Sequence, residues 1–379
     1  MPVAPDRAAR LAVTVVFFAS GGAYGSFVAR IPALKETLGA GEAELGLVLL
    51  AGAIGAVLVL PPAGWAAARV GSRRVIRDAL VAVALLLPLL ALAPTLAAFA
   101  GAFLLVGAAT SALDLAMNAH AVAVEERYAR PIFSSFHASW SLGGLAGAGA
   151  GGLAAALGVS PLPQFLATSA VVAGIAAWTR LGLLPRAADA QPEGPVFGRP
   201  SPALLALAAL AFAGLLAEGA AADWSAVYLH DSVGTGEGAA TTGFVAFATT
   251  MTLGRLVGDR LTAAWGPVAL TRRAGLLATA GMALALALGD AWAGVVGFAC
   301  LGAGLATVIP TVFRAAGRRA ASPGAGIAAV STVGYSAFLV GPPAIGFLAE
   351  WIGLRTALGA VVVLMLAVAA LAPATRAGP

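Results

Sequence analysis

The residues of this chain best suited to chemistry are carboxyl groups embedded in otherwise uncharged sequence. Asp114 and Asn118 are four residues apart, so a helix places both on one face. An acid at the centre of a bilayer costs about 2.5–3.5 kcal/mol to insert and usually faces a cavity or a partner. Withdrawal from water favours the protonated form of a carboxyl group, so Asp114 could bind a proton while Asn118 hydrogen-bonds a polar ligand. The alternative is that Asp114 forms an ion pair with an arginine.

A second acidic stretch lies about a hundred residues later. Glu218 and Asp223 are about one and a half helical turns apart, with Trp224 beside them. Glu218 is the deeper of the two and the preferred second proton-binding candidate. Asp223 lies nearer the end of the apolar run, where solvent or a helix-end donor would satisfy it. For both acids, a purely structural pairing is the competing interpretation.

Several other side chains could contact a ligand or control access to it. His137 could serve in a gate or relay, although an ordinary interfacial histidine is the simpler interpretation. Arg30 could attract an anionic group or extend toward the bilayer surface. His120 and His230 lie near the ends of apolar runs, where we expect them to be solvated. Aromatic rings that could stack on a flat ligand, or simply pack between helices, are Tyr24, Trp140, Trp224 and Tyr335.

Long uncharged segments must position these groups. No Asp, Glu, Lys or Arg occurs between Asp78 and Asp114, or between Arg130 and Arg180. The composition is 60% hydrophobic and 10% charged, with a mean hydropathy of +0.94, whereas soluble domains carry about 25% charged residues. Runs of about 20 apolar residues suffice to cross a bilayer as a helix. The sequence therefore predicts an all-α integral membrane protein.

Twelve transmembrane helices in two pseudo-symmetric six-helix bundles fit the pattern. A polar, Pro-rich linker at 185–202 separates an N-terminal bundle, 1–184, from a C-terminal bundle, 203–379. The predicted spans are 9–29, 43–68, 77–93, 96–121, 133–157, 163–184, 203–230, 238–262, 269–288, 291–315, 324–350 and 354–373.

Arginine placement predicts the orientation, since positive residues collect on the cytoplasmic side. With a cytoplasmic N-terminus, only Arg30, Lys35 and Arg355 of the 22 cationic residues fall in outer segments. Both termini and the linker are then cytoplasmic, in a multi-pass protein of the bacterial inner membrane.

The two halves resemble each other. Gly39-Ala-Gly-Glu42 after the first span is echoed by Gly234-Thr-Gly-Glu237 after the seventh, and parallel six-helix repeats are the plan of one large transporter class. Small residues at helical spacing across 143–152 predict close packing of helix backbones.

The loop after the second span resembles that of the major facilitator superfamily, which has a Gly-x-x-x-Asp-Arg-x-Gly-Arg-Arg motif there. Ala68 stands in the acidic position, whereas the second copy keeps an acid as Asp259. The resemblance implies a cluster of charges that stabilises one conformer of the transport cycle. On this basis the gating candidates are Arg69, Arg73, Arg74, Arg255, Asp259 and Arg260. Three residues after the fourth span are added to them: Glu125, Arg130 and His137.

A closer resemblance, over nearly the whole chain, is to MosC-like (rhizopine-transport-type) and YbjJ-like bacterial permeases. It rests on the segments 113–125, 130–137, 218–224 and 341–350. More distantly, the chain is similar to the fucose–proton symporters, which carry Glu-x-x-x-Asn in the fourth span. Asp114 and Asn118 have this spacing, but the acid of the first span in that family is replaced by Val28.

Other function classes are disfavoured. Lys35 is the only lysine, so no Gly-x-x-x-x-Gly-Lys-Ser/Thr phosphate loop exists, and no hydrolase motif is present. We expect no enzyme activity, cofactor, metal or nucleic-acid binding. The expectation is a monomeric secondary transporter in the lipid bilayer that moves a small polar solute, sugar- or cyclitol-like. Proton coupling is favoured because the candidates are carboxyls. A drug or metabolite exporter of the same fold, or a non-transporting sensor or scaffold, are the alternatives.

Overall fold

The fold consists of long helices joined by short turns. The computed structural model describes residues 4–128, 132–179, 182–185, 204–319 and 323–376, and these contain no β-strand. The predicted linker, 185–202, lies almost wholly outside them. The all-helical membrane fold expected from the sequence is confirmed.

Helices of the first half begin and end near the predicted span boundaries. They are α1 (Ala4–Val28), α2 (Ile31–Leu38), α3 (Glu42–Val70), α4 (Ser72–Leu92), α5 (Leu96–Tyr128), α6 (Phe133–Ala156) and α7 (Pro161–Trp178). α5 continues seven residues past its expected end at 121, since its last two turns carry polar and charged residues beyond the apolar run. Proline in the first turn of α7 suits a helix start, where its missing N–H costs no hydrogen bond.

Helices of the second half are α8 (Leu205–Val227), α9 (Glu237–Ala240), α10 (Thr242–Leu288), α11 (Ala291–Leu305), α12 (Val308–Arg319), α13 (Pro323–Ile352), α14 (Leu354–Ala357) and α15 (Gly359–Leu371). A π-helical turn, Tyr228–Ser232, follows α8, and a 3₁₀ turn, Ala372–Thr375, follows α15. α10 is two helices joined at Gly266, whose φ of 72° breaks the helical path before Pro267.

The number of crossings agrees with the sequence. Nine helical segments in the described residues are long and apolar enough to span a membrane. α6 and the two parts of α10 on either side of Gly266 are counted as further crossings. With them, the number of membrane-crossing helices in those residues is 12. Six of these crossings precede the predicted linker and six follow it.

The chain divides into two compact units. Unit 1 comprises Met1–Ala40 and Ala51–Pro192, and unit 2 comprises Gly41–Leu50 and Glu193–Pro379. In unit 1, α1 packs on α5, α6 and α7, and α4 packs on α5 and α7. In unit 2, α8 packs on α13, while α10 packs on α11 and α15. Gly41–Leu50, the stretch that includes the first turns of α3, therefore belongs with the second half of the chain.

Glycines with positive φ recur at a constant interval between the two halves. Gly39 and Gly234, Gly71 and Gly266, and Gly158 and Gly353 are each 195 residues apart, and all six have φ between 61° and 90°. Such backbone conformations are easily reached only by glycine. Gly71 uses this freedom to turn the chain from α3 into α4, and Gly266 does the same between the two parts of α10. The repeat inferred from the sequence is thus present in the backbone itself.

Candidate functional site

Helices α1 and α6 of unit 1 make backbone contact, which sets the geometry of the candidate site. A Cβ atom on Gly21 would lie 2.0 Å from the carbonyl oxygen of Trp140, and one on Gly25 would lie 2.0 Å from that of Gly144. From the opposite side, a Cβ atom on Gly143 would lie 2.0 Å from the carbonyl oxygen of Phe18. Only glycine permits so close an approach. The close packing predicted from the glycine spacing of 143–152 is confirmed for this pair of helices.

The same two helices bring Tyr24 and Trp140 together. Their rings are stacked with centroids 5.6 Å apart and planes inclined by 29°. Both side chains are partly exposed. Stacked or offset aromatic pairs of this kind offer a flat apolar surface with polar edges. The structure therefore unites two of the four aromatic candidates on one accessible face of unit 1.

A polar cluster lies on α5 and α6. The side-chain amide nitrogen of Asn118 donates to the carboxylate of Asp114 at 3.1 Å and to its backbone carbonyl at 2.9 Å. The amide oxygen of Asn118 is 3.1 Å from Nε2 of His137. Asp114 and His137 are exposed and Asn118 is partly exposed. Among the described residues, Asp114 has no arginine or lysine partner, so the ion pair considered from the sequence is not formed there.

Aromatic rings hold His137 in place. Phe17 of α1 meets the imidazole edge-on with centroids 5.3 Å apart, and Phe133 of α6 lies 5.0 Å away. His137 and Trp140 are three residues apart on α6, so they share a face and are separated by about 4.5 Å along the helix axis. The polar cluster and the aromatic pair are therefore neighbouring parts of one site.

In unit 2, Glu218 and Arg255 form an ion pair between α8 and α10. Oε1 of Glu218 and Nη2 of Arg255 are 3.6 Å apart, and the side chains are 27% and 39% exposed. Asp223 is partly exposed and, among the residues described, neither hydrogen-bonded nor ion-paired. Two acids expected to act alike therefore lie in different environments.

The remaining ligand candidates differ in accessibility. Trp224 is 0% exposed, so its ring cannot stack on a solute here, and its role is to fill the core of unit 2. Arg30 is also buried, at 2% exposure, and donates through Nη2 to the carbonyl oxygen of Val159 at 2.7 Å. It does not extend outward, because the carbonyl of Val159, in the turn between α6 and α7, accepts its hydrogen bond inside unit 1. Tyr335 is 56% exposed and stacks on Phe338.

Most gating candidates from the first half have local partners. Arg69 lies over the ring of Trp65 at 5.2 Å, and Arg74 is 3.5 Å from Asp78 one turn along α4. Arg73, at the start of α4, also has a partner. Arg130 lies outside the described residues.

Glu125 at the end of α5 has a specific structural role. Its carboxylate accepts hydrogen bonds from the backbone N–H groups of Ile132 and Phe133, at 2.6 and 2.5 Å. These groups open α6, and a carboxylate stabilises the positive end of a helix. Glu125 therefore fixes the start of the helix that carries His137 and Trp140.

In the second half, Asp259 of α10 is hydrogen-bonded and ion-paired to Arg314 of α12. Arg260 beside it is exposed. The acid of the second motif copy thus links two helices of unit 2, and Arg255 one turn earlier links α10 to α8.

His120 is not solvated, contrary to the expectation from its position. It is 0% exposed, with Nδ1 2.7 Å from the hydroxyl of Ser72 and Nε2 accepting from the backbone N–H of Leu184 at 3.0 Å. Because Nε2 accepts, Nδ1 carries the hydrogen. The ring joins α4, α5 and the chain after α7, and its partners are too distant in sequence for spacing to reveal them. His230 is partly exposed and bonded to Asp231.

Residues 13–341 match the family model described as Major Facilitator Superfamily. An uncharacterized MFS-type transporter of Yersinia pestis is 36% identical over 98% of this chain and 97% of its own length. The membrane protein MosC of Rhizobium meliloti is 36% identical over 92% of this chain and 85% of its own length.

Solved structures share the fold at low sequence identity. The nucleoside transporter NupG superposes with a TM-score of 0.75 at 16% identity, over 96% of this chain and 97% of its own length.

 The E. coli fucose:proton symporter FucP superposes with a TM-score of 0.63 at 15% identity, over 97% of this chain and 98% of its own length. At such identities these likenesses show the fold alone.

Proposed function

Because the chain belongs to the major facilitator superfamily, we propose that it is a secondary active transporter that moves a small polar solute, sugar- or cyclitol-like, coupled to protons. The observation that carries the proposal is the joint site on unit 1. There, the hydrogen-bonded groups of Asp114, Asn118 and His137 lie one helical turn from the stacked rings of Tyr24 and Trp140.

The site supplies the two kinds of contact that a polyhydroxylated ring needs. The rings of Tyr24 and Trp140 offer a surface for the apolar C–H face of a sugar or cyclitol. Asn118 and His137 supply amide and imidazole groups that can exchange their mutual hydrogen bond for bonds to hydroxyl groups. Tyr335, 195 residues after Trp140, is exposed and is the corresponding candidate on unit 2.

Asp114 is the preferred proton-binding group. A carboxylate paired with arginine is held in its charged form, whereas Asp114 bonds only to an uncharged amide in the described residues. It can therefore take up and release a proton without first breaking an ion pair. Glu218 is paired with Arg255, which makes it the second candidate. Asp223, unpaired among the described residues, is the alternative to Glu218.

The gating candidates fit a role in holding one conformer. Protonation of Glu218 would weaken its attraction to Arg255, so proton binding would weaken the contact between α8 and α10. Asp259 and Arg314 would fix α10 against α12 during the same step. The roles of Arg69, Arg73, Arg74, Arg260 and Arg130 in gating rest on the resemblance in their motifs.

The proposal also covers the membrane topology and the cellular location of the protein. The arginine distribution supports cytoplasmic termini and a cytoplasmic linker at 185–202 between two bundles, 1–184 and 203–379. We place the protein in the bacterial inner membrane as a monomer. Its partners are the solute, protons and the lipid bilayer.

Uptake into proteoliposomes tests the proposal. A thermal-shift screen of purified protein against sugars, cyclitols and nucleosides would select a solute, and its radiolabelled form would be followed with and without an imposed pH gradient. We expect uptake that rises with the gradient and falls at least tenfold in Asp114→Asn. Asp78→Asn, which removes a carboxylate paired with Arg74 on α4, is the matched control and should keep uptake.

Two outcomes would overturn the assignment. Full gradient-driven uptake by Asp114→Asn would remove Asp114 from proton coupling. Binding of apolar drugs instead of polar solutes, with resistance on overexpression, would favour the exporter. Trp140→Ala should weaken solute binding, whereas Trp292→Ala, at a ring 80% exposed on α11, should not.

A further inference from the structure

Asn118 is held in a single orientation by its two acceptors on Asp114. The amide nitrogen donates to the backbone carbonyl oxygen of Asp114 at 2.9 Å and to its carboxylate at 3.1 Å. A side-chain amide has one NH₂ donor group and one oxygen acceptor. With the donor group directed to Asp114, the oxygen is directed to His137.

This orientation determines which nitrogen of His137 carries a hydrogen. The amide oxygen can only accept, and Nε2 of His137 is 3.1 Å from it, so Nε2 must be the donor. The neutral imidazole is therefore the Nε2–H tautomer, and Nδ1 is the nitrogen that gains or loses a proton. Phe17 and Phe133 on either side restrict the rotation that would exchange the two nitrogens.

We propose that Asn118 transmits the charge state of Asp114 to His137, which makes His137 a positioning residue for the proton-binding site. An ionised Asp114 carboxylate only accepts, so it keeps the amide oxygen on Nε2–H of His137. A protonated Asp114 can also donate, which weakens one of the two bonds that orient the amide and so reduces the preference of His137 for the Nε2–H tautomer. No proton passes through the amide.

The link matters because His137 is one turn from Trp140 on α6. Protonation on α5 would thereby alter the hydrogen bonding of the helix that carries half of the aromatic pair. This consequence for transport rests on the proposed function, while the coupling itself depends on the hydrogen bonds of Asn118 to Asp114 and His137.

Several other ionisable side chains on the surrounding helices have separate partners, while Arg7 of α1 and Glu126 and Arg127 of α5 are exposed. On α1, Arg10 lies over the ring of Tyr128 at 5.5 Å. On α5, Glu125 binds the first N–H groups of α6, and His120 binds Ser72 and Leu184. On α4, Arg74 is paired with Asp78, while Arg73 and Arg77 are the further charges.

Histidine NMR can test the coupling, since the chain has only three histidines. Protein labelled with ¹³C and ¹⁵N in histidine would be studied well above the ordinary histidine pKa of about 6.5, where the rings are neutral. His→Gln variants assign the three signals. His137 should show the Nε2–H pattern and His120 the opposite Nδ1–H pattern. The His120 signal therefore serves as an internal reference for the His137 signal.

Two variants then separate the steps. In Asn118→Leu, and in Asp114→Asn as a mimic of the protonated acid, we expect the His137 tautomer ratio to shift about fivefold toward Nδ1–H, the effect of one hydrogen bond. Asp78→Asn is the control, and the His120 signal should not change in any variant. If Asn118→Leu fails to fold, as a changed His120 signal would show, Asn118→Ser replaces it.

The coupling is wrong if His137 keeps the same tautomer ratio in the Asn118 variants, or if Asp114→Asn leaves the ratio unchanged. Uptake measured on the same samples distinguishes this from failure of the proposed function. Coupled tautomers without gradient-driven uptake would refute proton-linked transport alone. Gradient-driven uptake with an unchanged His137 would refute the coupling alone.

Discussion

Glu218 and Arg255 lie with Oε1 and Nη2 3.6 Å apart, which joins α8 to α10 within unit 2. The sequence offers these residues for two different purposes, one for proton binding and the other for gating. Their contact means that any change in the charge of Glu218 would alter its attraction to Arg255.

Charge reversal should reveal this dependence. Glu218→Arg places two cations side by side, and we expect the melting temperature to fall by about 2–4 °C, as for a loss near 1 kcal/mol in a large domain. The double variant Glu218→Arg/Arg255→Glu restores opposite charges and should recover at least half of the loss. Thermal unfolding in detergent measures both. Independent, additive effects of the two reversals would contradict a direct pairing.

The contact between α1 and α6 predicts a sharp difference between two glycines. Gly21→Ala would place a methyl group 2.0 Å from the carbonyl oxygen of Trp140, which the helices can relieve only by moving apart. Overpacking of this kind costs about 1–3 kcal/mol. We expect a lower melting temperature and weaker solute binding.

Gly149→Ala is the matched control, since no atom lies within 4 Å of its added methyl group. Equal melting temperatures for Gly21→Ala and Gly149→Ala, measured by differential scanning fluorimetry, would show that α1 and α6 are not in backbone contact.

Substitution of Gly266 should lower the stability of the protein for a different reason. Its φ of 72° is unfavourable for an L-residue, while no atom lies within 4 Å of an added methyl group. With a ψ of 162° this backbone conformation is essentially restricted to glycine, so Gly266→Ala should destabilise the protein by about 1–3 kcal/mol through backbone strain alone. Gly236→Ala, at a φ of −64° and equally free of neighbours, carries no such strain and should lower stability much less. Chemical unfolding of the two variants compares them, and a stable Gly266→Ala would argue against the turn.

His120 should be among the residues least tolerant of change. His120→Phe removes the acceptor of the Leu184 N–H and the donor to Ser72, both inside unit 1. A buried group left without its partner costs about 1–3 kcal/mol. His230→Phe, at a partly exposed site, should have a much smaller effect on the melting temperature. Similar losses in the two variants would mean that His120 is not a buried structural link.

The sequence predicts the helices well because the physics of each is local. Apolar length and the absence of charge define the spans, and the spacing of Asp114 and Asn118 defines a shared helix face that the structure confirms with a hydrogen bond. The glycines of α6 likewise indicate close packing, although not the partner helix. Such inferences need only the period of a helix and the properties of the bilayer.

Contacts between segments that are distant in sequence cannot be predicted in this way. The burial of His120 depends on Leu184, and the position of Arg30 depends on a carbonyl at Val159. The pairing of Glu218 with Arg255 requires the crossing of α8 and α10. Each of these depends on how helices pack, and periodicity along one helix carries no information about its neighbour.

The glycines that recur 195 residues apart point to an ancestral gene of half the length, copied and joined to itself. At the same interval, Asp114, Asn118 and His137 correspond to Ile309, Phe313 and Thr332, none of which can hold a charge. The two descendants thus kept a common frame but diverged in their polar side chains. The ionisable pair of Asp114 and His137 belongs to the first of them alone.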